Sequence, residues 1–102
     1  MPPEKPEIAV LRASMRANGL KQINFSDGQL IGFARKRGGE ELLSLEVSVD
    51  FKRMKVSATT IRESAFSNSR DRFKEVDYME ADWRTLDEAS SLINKYSRAL
   101  NI

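Results

Sequence analysis

The chain contains neither histidine nor cysteine. Without histidine it lacks the side chain that most often serves as a general base near neutral pH, and without cysteine it lacks a thiol nucleophile. The same absences remove the nitrogen and sulfur ligands of zinc, copper and iron–sulfur sites. We therefore expect no cofactor and no metal site of these kinds, and a fold held together by packing without disulfides.

Proline and long apolar runs are scarce as well. The chain has three prolines, all within its first six residues, and we predict a flexible tail over residues 1–6. This tail is polar, so we expect no signal peptide, and no apolar run approaches the length of a membrane span. Together with the absence of cysteine, these features predict a cytoplasmic or nuclear protein.

Length and charge limit the function further. A chain of 102 residues with 40% hydrophobic and 31% charged residues predicts one soluble domain over residues 7–102. Its 17 basic and 15 acidic residues give a net charge of only +2. This small surplus is weak evidence for a nucleic-acid partner, because the chain as a whole produces no strong field.

Three turn signals divide residues 21–60 into four strands. We predict a three-residue loop centred on Asp27, a second loop centred on Gly39, and a turn over residues 50–53. These loops would pair Phe25 with Gln29, Phe33 with Leu45, and Val49 with Met54. One shared apolar face would then comprise Ile23, Ile31, Phe33, Leu45, Val47, Val49, Met54 and Val56. The other face would carry small polar side chains and no aromatic rings.

Two helices flank this sheet. Over residues 7–18 the apolar residues Ile8, Leu11 and Met15 recur at helical spacing. Near the C-terminus, Thr85 with Glu88 forms a capping box, followed by the apolar stripe Leu86, Ala89, Ile93, Tyr96 and Leu100. We therefore predict a two-layer α+β fold: a four-stranded antiparallel meander with an N-terminal and a C-terminal helix on one face. Residues 62–82 are predicted to be irregular, with a short fifth strand over residues 74–78 as the alternative.

Basic residues cluster at two places in the sequence. Arg35, Lys36 and Arg37 precede the Gly38-Gly39 turn, whereas Lys52 and Arg53 lie at the other end of the predicted sheet. Solvated strand ends explain both clusters, and a nucleic-acid-binding module that uses these five residues is the alternative function. An outer face without aromatic rings argues against a single-strand binder.

Asp27, Asp50 and Lys52 are predicted to meet at one end of the sheet. This grouping resembles the metal-dependent nucleases of the PD-(D/E)xK type, although no proline precedes Asp27. The resemblance implies two carboxylates that hold Mg²⁺ and a lysine that stabilises the developing charge. A nuclease using these residues is the second alternative. Turn chemistry also accounts for Asp-Gly, so we expect no enzyme and no bound metal.

Large apolar side chains in the irregular segment suggest a contact with a partner. A disordered linker seldom carries so many of them, because disorder follows from having few to bury. We predict that Phe73, Tyr78 and Trp83 bind a partner protein. The preferred function is a small non-enzymatic binding protein that acts through protein–protein contact, with a homodimer as one form of that contact.

Overall fold

The computed structural model describes residues 4–64 and 74–100. In chain order, these residues form α1 (Pro6–Ala17), β1 (Lys21–Ser26), β2 (Gln29–Gly38), β3 (Glu41–Asp50), β4 (Lys55–Ser64), β5 (Lys74–Asp82) and α2 (Leu86–Ser97), followed by a 3₁₀ turn (Arg98–Leu100). The strands form one antiparallel sheet in the order β1-β2-β3-β4-β5. The predicted α+β meander is confirmed, with five strands where four were predicted.

Both helices form where their apolar stripes predict them. Pro6 begins α1 at a position where a missing backbone N–H costs nothing, and Gly19, with a φ of 86°, follows its end. Thr85 caps the start of α2 as predicted, because the Glu88 backbone N–H donates to Thr85 Oγ1 at 3.1 Å. The two helices touch through the Ser14 and Ser90 hydroxyls, whose oxygens lie 2.8 Å apart.

The β1–β2 turn has two residues, which corrects the predicted three-residue loop. Asp27 and Gly28 have φ angles of 53° and 76°, as a type I′ hairpin requires, and Phe25 pairs with Leu30. A register shift of one residue reverses which face each side chain occupies. Leu30 therefore lies in the core, whereas Ile31 and Phe33 lie on the opposite face.

The other two turns also differ from the predicted loops. Gly38 pairs with Glu41, so Phe33 lies across from Glu46 and not from Leu45. Four residues separate β3 from β4, and Val49 pairs with Val56 in place of Met54. The β3–β4 register thus differs from the predicted one by two residues, and an even difference leaves each side chain on its predicted face. Val56 therefore keeps its predicted place in the core, while Met54 lies in the turn.

The predicted irregular segment is wrong wherever the structure describes it. β4 continues through residues 62–64, and residues 74–82 form β5, which includes the alternative fifth strand predicted over residues 74–78. Residues 65–73 lie outside the described residues. β5 is an edge strand that is exposed on both faces apart from Ala81, so it lacks the apolar–polar alternation that marks a half-buried strand.

One core lies between the sheet and the two helices. It comprises Ile8, Leu11, Met15, Leu20, Leu30, Leu45, Val47, Val49, Val56, Ala58, Trp83, Ala89, Ile93 and Tyr96. Met15 of α1 and Leu20, which precedes β1, pack closely against Gly32, where an added Cβ would lie 3.1 Å from Met15 Sδ and 3.2 Å from Leu20 Cβ. Among the described residues, no helix is long and apolar enough to cross a membrane.

Candidate functional site

The sheet face opposite the helices, called here the open face, carries a set of partly or fully exposed apolar side chains. Register and burial assign to it Ile31, Phe33, Leu42, Ile61, Val76 and Tyr78. The sequence prediction of an outer face without rings is therefore wrong, because the shifted β1–β2 register turns Phe33 outward and β5 adds Tyr78. A small domain that exposes such a set of side chains has a surface suited to binding.

The apolar side chains concentrate at the β4–β5 side of the open face. Ile61 lies directly across from Val76, and Tyr78 follows Val76 on the same face of β5. Val76 and Tyr78 are 56% and 60% exposed. We call Leu42, Ile61, Val76 and Tyr78 the β4–β5 patch.

Charged groups fix the position of the tyrosine in this patch. The Tyr78 hydroxyl donates to Glu80 Oε2 at 2.7 Å, and Lys55 Nζ lies 2.8 Å from Glu80 Oε1 and 3.3 Å from Asp82 Oδ1. The hydrogen bond to Glu80 raises the pKa of Tyr78. The pKa of Glu80 is lowered by its hydrogen bond from Lys55, which has the larger effect, and by its hydrogen bond from Tyr78. Tyr78 is therefore a neutral donor near pH 7, with its ring held beside an ion pair.

Charges of both signs balance on the open face. The basic side chains are Lys21, Arg35, Arg37, Lys55 and Lys74, and the acidic ones are Glu46, Asp50, Glu63, Glu80 and Asp82. A surface that follows a nucleic-acid backbone needs a basic surplus. The balance on this face does not provide one.

A depression of about 970 Å³ borders the same face. Phe33, Glu46, Thr59 and Ile61 line it on the open face. The lining continues past the start of β1, at Lys21, to Leu100 on the helix side. Because the lining mixes both faces of the sheet, the depression does not form one enclosed pocket for a small ligand.

The structure separates the predicted basic residues. Arg35 and Arg37 lie on the open face, but Lys36 lies on the helix side, where its Nζ donates to the Leu100 carbonyl oxygen at 2.8 Å. Lys52 and Arg53 occupy the β3–β4 turn at the opposite end of the sheet. Arg37 lies across from Leu42, and the nearby Glu41 carboxylate is 3.8 Å from Arg62.

The turns that carry Asp27, Asp50 and Lys52 lie at one end of the sheet, as predicted, since the Phe51 N–H donates to the Gly28 carbonyl at 2.9 Å. Asp50 Oδ1, however, accepts the backbone N–H groups of Lys52 at 2.8 Å and Arg53 at 2.9 Å. These bonds, led by that of Arg53, lower the pKa of Asp50. The carboxylate therefore stabilises its own turn.

The aspartates do not converge on a cavity at this end. A depression of about 520 Å³ is lined by Ile8, Phe25, Phe51 and Lys52 among others, and neither Asp27 nor Asp50 belongs to the lining. The Lys52 side chain lies over Gly28, where an added Cβ would come within 2.8 Å of its Cε. Within the described ranges, no group of three or more acidic side chains could hold a metal ion.

The three predicted partner-binding residues have different locations. Tyr78 lies exposed on the open face, whereas Trp83 is 5% exposed and its ring packs edge-on against Phe51, with centroids 5.5 Å apart. Burial in the core accounts for the position of the Trp83 ring, but its Nε1 is buried without a hydrogen-bond partner among the described residues. A partner contact at Trp83 stays a prediction. Phe73 lies outside the described residues, so its contact also stays a prediction.

Sequence reasoning missed Leu42, Ile61 and Val76. A signal existed for Ile61, because Val56 and Ala58 point inward and alternation then directs residue 61 outward. No comparable signal marked Val76, since β5 was not recognised as a full strand. No family model, curated protein or solved structure matches this chain.

Proposed function

We propose that the chain is a small non-enzymatic binding protein that contacts a protein partner through the β4–β5 patch, with Tyr78 as the central anchor. The observation that supports this proposal is the position of Val76 and Tyr78, two large side chains more than half exposed beside Ile61. Tyrosine is favoured in interfaces because its ring buries a large area at little cost in side-chain entropy.

The balanced charge of the open face supports a protein partner over a nucleic acid. A mixed-sign rim around an apolar centre is typical of protein interfaces. Phe33 lies on β2 and Tyr78 on β5, three strand spacings or about 14 Å apart, so the two rings cannot stack on neighbouring bases.

The experiment is a comparison of two exposed apolar positions. Immobilised wild-type protein is used to capture partners, a captured protein is identified and purified, and its affinity is measured for Tyr78→Ala and for Val10→Ala, an exposed control on α1. Tyr78→Ala should weaken binding by about 1–3 kcal/mol, or roughly 5- to 150-fold, with an unchanged melting temperature. Phe73→Ala tests the second predicted anchor in the same assay.

Two results would contradict the proposal. If Tyr78→Ala and Val10→Ala lowered affinity equally, the patch would not be the binding surface. If Tyr78→Ala unfolded the protein without a separate effect on association, Tyr78 would be a structural residue.

Nucleic-acid binding is the second candidate, supported by Arg35 and Arg37 on the same face as Phe33. Retention on immobilised single-stranded DNA at two salt concentrations tests it. Salt-sensitive retention that Arg35→Ala and Arg37→Ala both reduce would favour this candidate over a protein partner.

The absence of enzymatic activity is part of the same proposal. We expect no Mg²⁺- or Mn²⁺-dependent cleavage of DNA or RNA that requires Asp50 and Lys52, because Asp50 is engaged by the turn amides and the Lys52 side chain lies over Gly28. Cleavage abolished by both Asp50→Ala and Lys52→Ala would establish the nuclease alternative.

A further inference from the structure

The two edges of the sheet differ in whether they can accept another strand. β1 has six residues, and its register shifts between Lys21 and Asn24, with Gln22 at a φ of 51°. Arg12 Nη1 also donates to the Ile23 carbonyl oxygen at 2.7 Å. A bulge and an occupied carbonyl both hinder strand addition, so the β1 edge is protected.

β5 has neither of these protections in the described structure. It is nine residues long and pairs with β4 without a register shift, and none of the strands in residues 4–64 lies on its other side. At about 3.3 Å per residue, this edge presents roughly 30 Å of regular backbone. An edge of this length readily pairs with another strand.

One antiparallel register of β5 with itself brings opposite charges together at both ends of the strand. Tyr78 is the midpoint of the strand, and pairing two copies about it uses all nine residues of each. The facing pairs are then Lys74 with Asp82, Glu75 with Ala81, Val76 with Glu80, Asp77 with Met79, and Tyr78 with Tyr78. Lys74 faces Asp82 at both ends, and no like charges face each other.

The neighbouring registers are less favourable. Pairing about Asp77 places two Asp77 carboxylates opposite each other, whereas pairing about Met79 uses only seven of the nine residues and loses both facing pairs of Lys74 with Asp82. Like charges directly opposite in a sheet are destabilising. In the described part of the chain Lys74 forms no ion pair, so its ammonium group is available to Asp82 of a second copy.

We propose that the protein partner is a second copy of this chain, which pairs β5 against β5 about Tyr78 to form one continuous ten-stranded sheet. This inference rests on the proposed function and specifies its partner. Facing residues in this register are both even-numbered or both odd-numbered, so the open faces of the two copies lie on the same side of the joined sheet. The two β4–β5 patches then join across the two-fold axis, with the Tyr78 side chains adjacent.

The absence of cysteine allows a sharp test by single-cysteine cross-linking. In the proposed register the two residue-78 Cβ atoms lie about 5 Å apart, close to disulfide distance. The two residue-76 Cβ atoms are separated by four residues along the strand, or roughly 13 Å. Val76→Cys is therefore a matched control on the same strand and face, with nearly the same exposure.

Under mild oxidation, at a protein concentration at which light scattering finds both reduced variants dimeric, Tyr78→Cys should form a covalent dimer at least tenfold faster than Val76→Cys. Wild-type protein should have twice the 11.6 kDa mass in light scattering. Circular dichroism of the reduced variants checks that each is folded. Equal cross-linking of both variants would overturn the register.

A wild-type monomer at every concentration would overturn the second copy as the partner and indicate that the charges of β5 keep this edge unpaired. Failure of the dimer is distinguishable from failure of the proposed function. The mass of the purified protein decides whether the dimer forms. The affinity of Tyr78→Ala for a different captured protein decides whether the β4–β5 patch is a binding surface. Lys74→Asp should lower the dimer fraction, and Lys21→Asp on the β1 edge should leave it unchanged.

Discussion

The register of β1 against β2 decides which large side chain of β2 stabilises the core, and two alanine substitutions test it. Leu30 is completely buried, whereas Phe33 is 42% exposed. Leu30→Ala removes three carbon atoms, worth about 2.4 kcal/mol at roughly 0.8 kcal/mol per buried methylene, and the residual cavity adds to this loss. We expect Leu30→Ala to lower the free energy of unfolding by about 3 kcal/mol, and Phe33→Ala by about 1 kcal/mol or less.

Urea denaturation followed by the fluorescence of Trp83, the single tryptophan, measures both variants. This ring is buried, so unfolding transfers it to water and changes its emission. With a slope of about 1–3 kcal/mol per molar urea, Leu30→Ala should lower the midpoint by roughly 1–3 M. If Phe33→Ala were as costly as Leu30→Ala, the two-residue turn and the assignment of faces would both be wrong.

Three further substitutions test the core, the helix cap and the β3–β4 turn. Val47→Ala should destabilise by about 1.5–3 kcal/mol, whereas Ser48→Ala on the open face should be nearly neutral in chemical denaturation. Thr85→Ala should cost about 1 kcal/mol in a thermal melt, since it removes the acceptor of the Glu88 N–H. Folding lowers the pKa of Asp50 below its usual 3.8, so its contribution is present above that value and is lost as pH falls through the folded pKa. The stability advantage of wild type over Asp50→Asn should therefore shrink in unfolding curves recorded below about pH 4, and a constant difference would contradict this account.

Features that depend on local sequence were predictable. The two helices follow from apolar spacing and a capping box, and the positions of all three turns follow from their residue types. The inward face of β3 follows from strict alternation over residues 43–49, because side chains of a strand alternate between faces. Each of these signals lies within a few neighbouring residues.

Turn length was not predictable, because two- and three-residue hairpins both place glycine at positive φ. One residue of difference exchanges Phe33 for Gly32 on the core face. Hydrophobicity alone favours the ring inside, but Met15 of α1, Leu20 and Ile23 pack so close to Gly32 that an added Cβ would lie within 3.3 Å of all three side chains. The observed β1–β2 register therefore places glycine where Met15 and Leu20 leave no room for a larger side chain. This tertiary contact has no local sequence signal.

The candidate site was hard to predict for a related reason. Patterns used to find strands assume that apolar side chains point toward the core of the same chain. On β5, Val76 and Tyr78 point away from that core, and Met79 on the helix side is still 37% exposed. If β5 pairs with a second copy, its apolar residues serve an interface, and its charge order follows the partner strand more than the domain's own core. The order of charges from Lys74 to Asp82 is then the signal to seek in such a strand. It can be recognised only once the strand, and the edge that the described residues leave unpaired, are known.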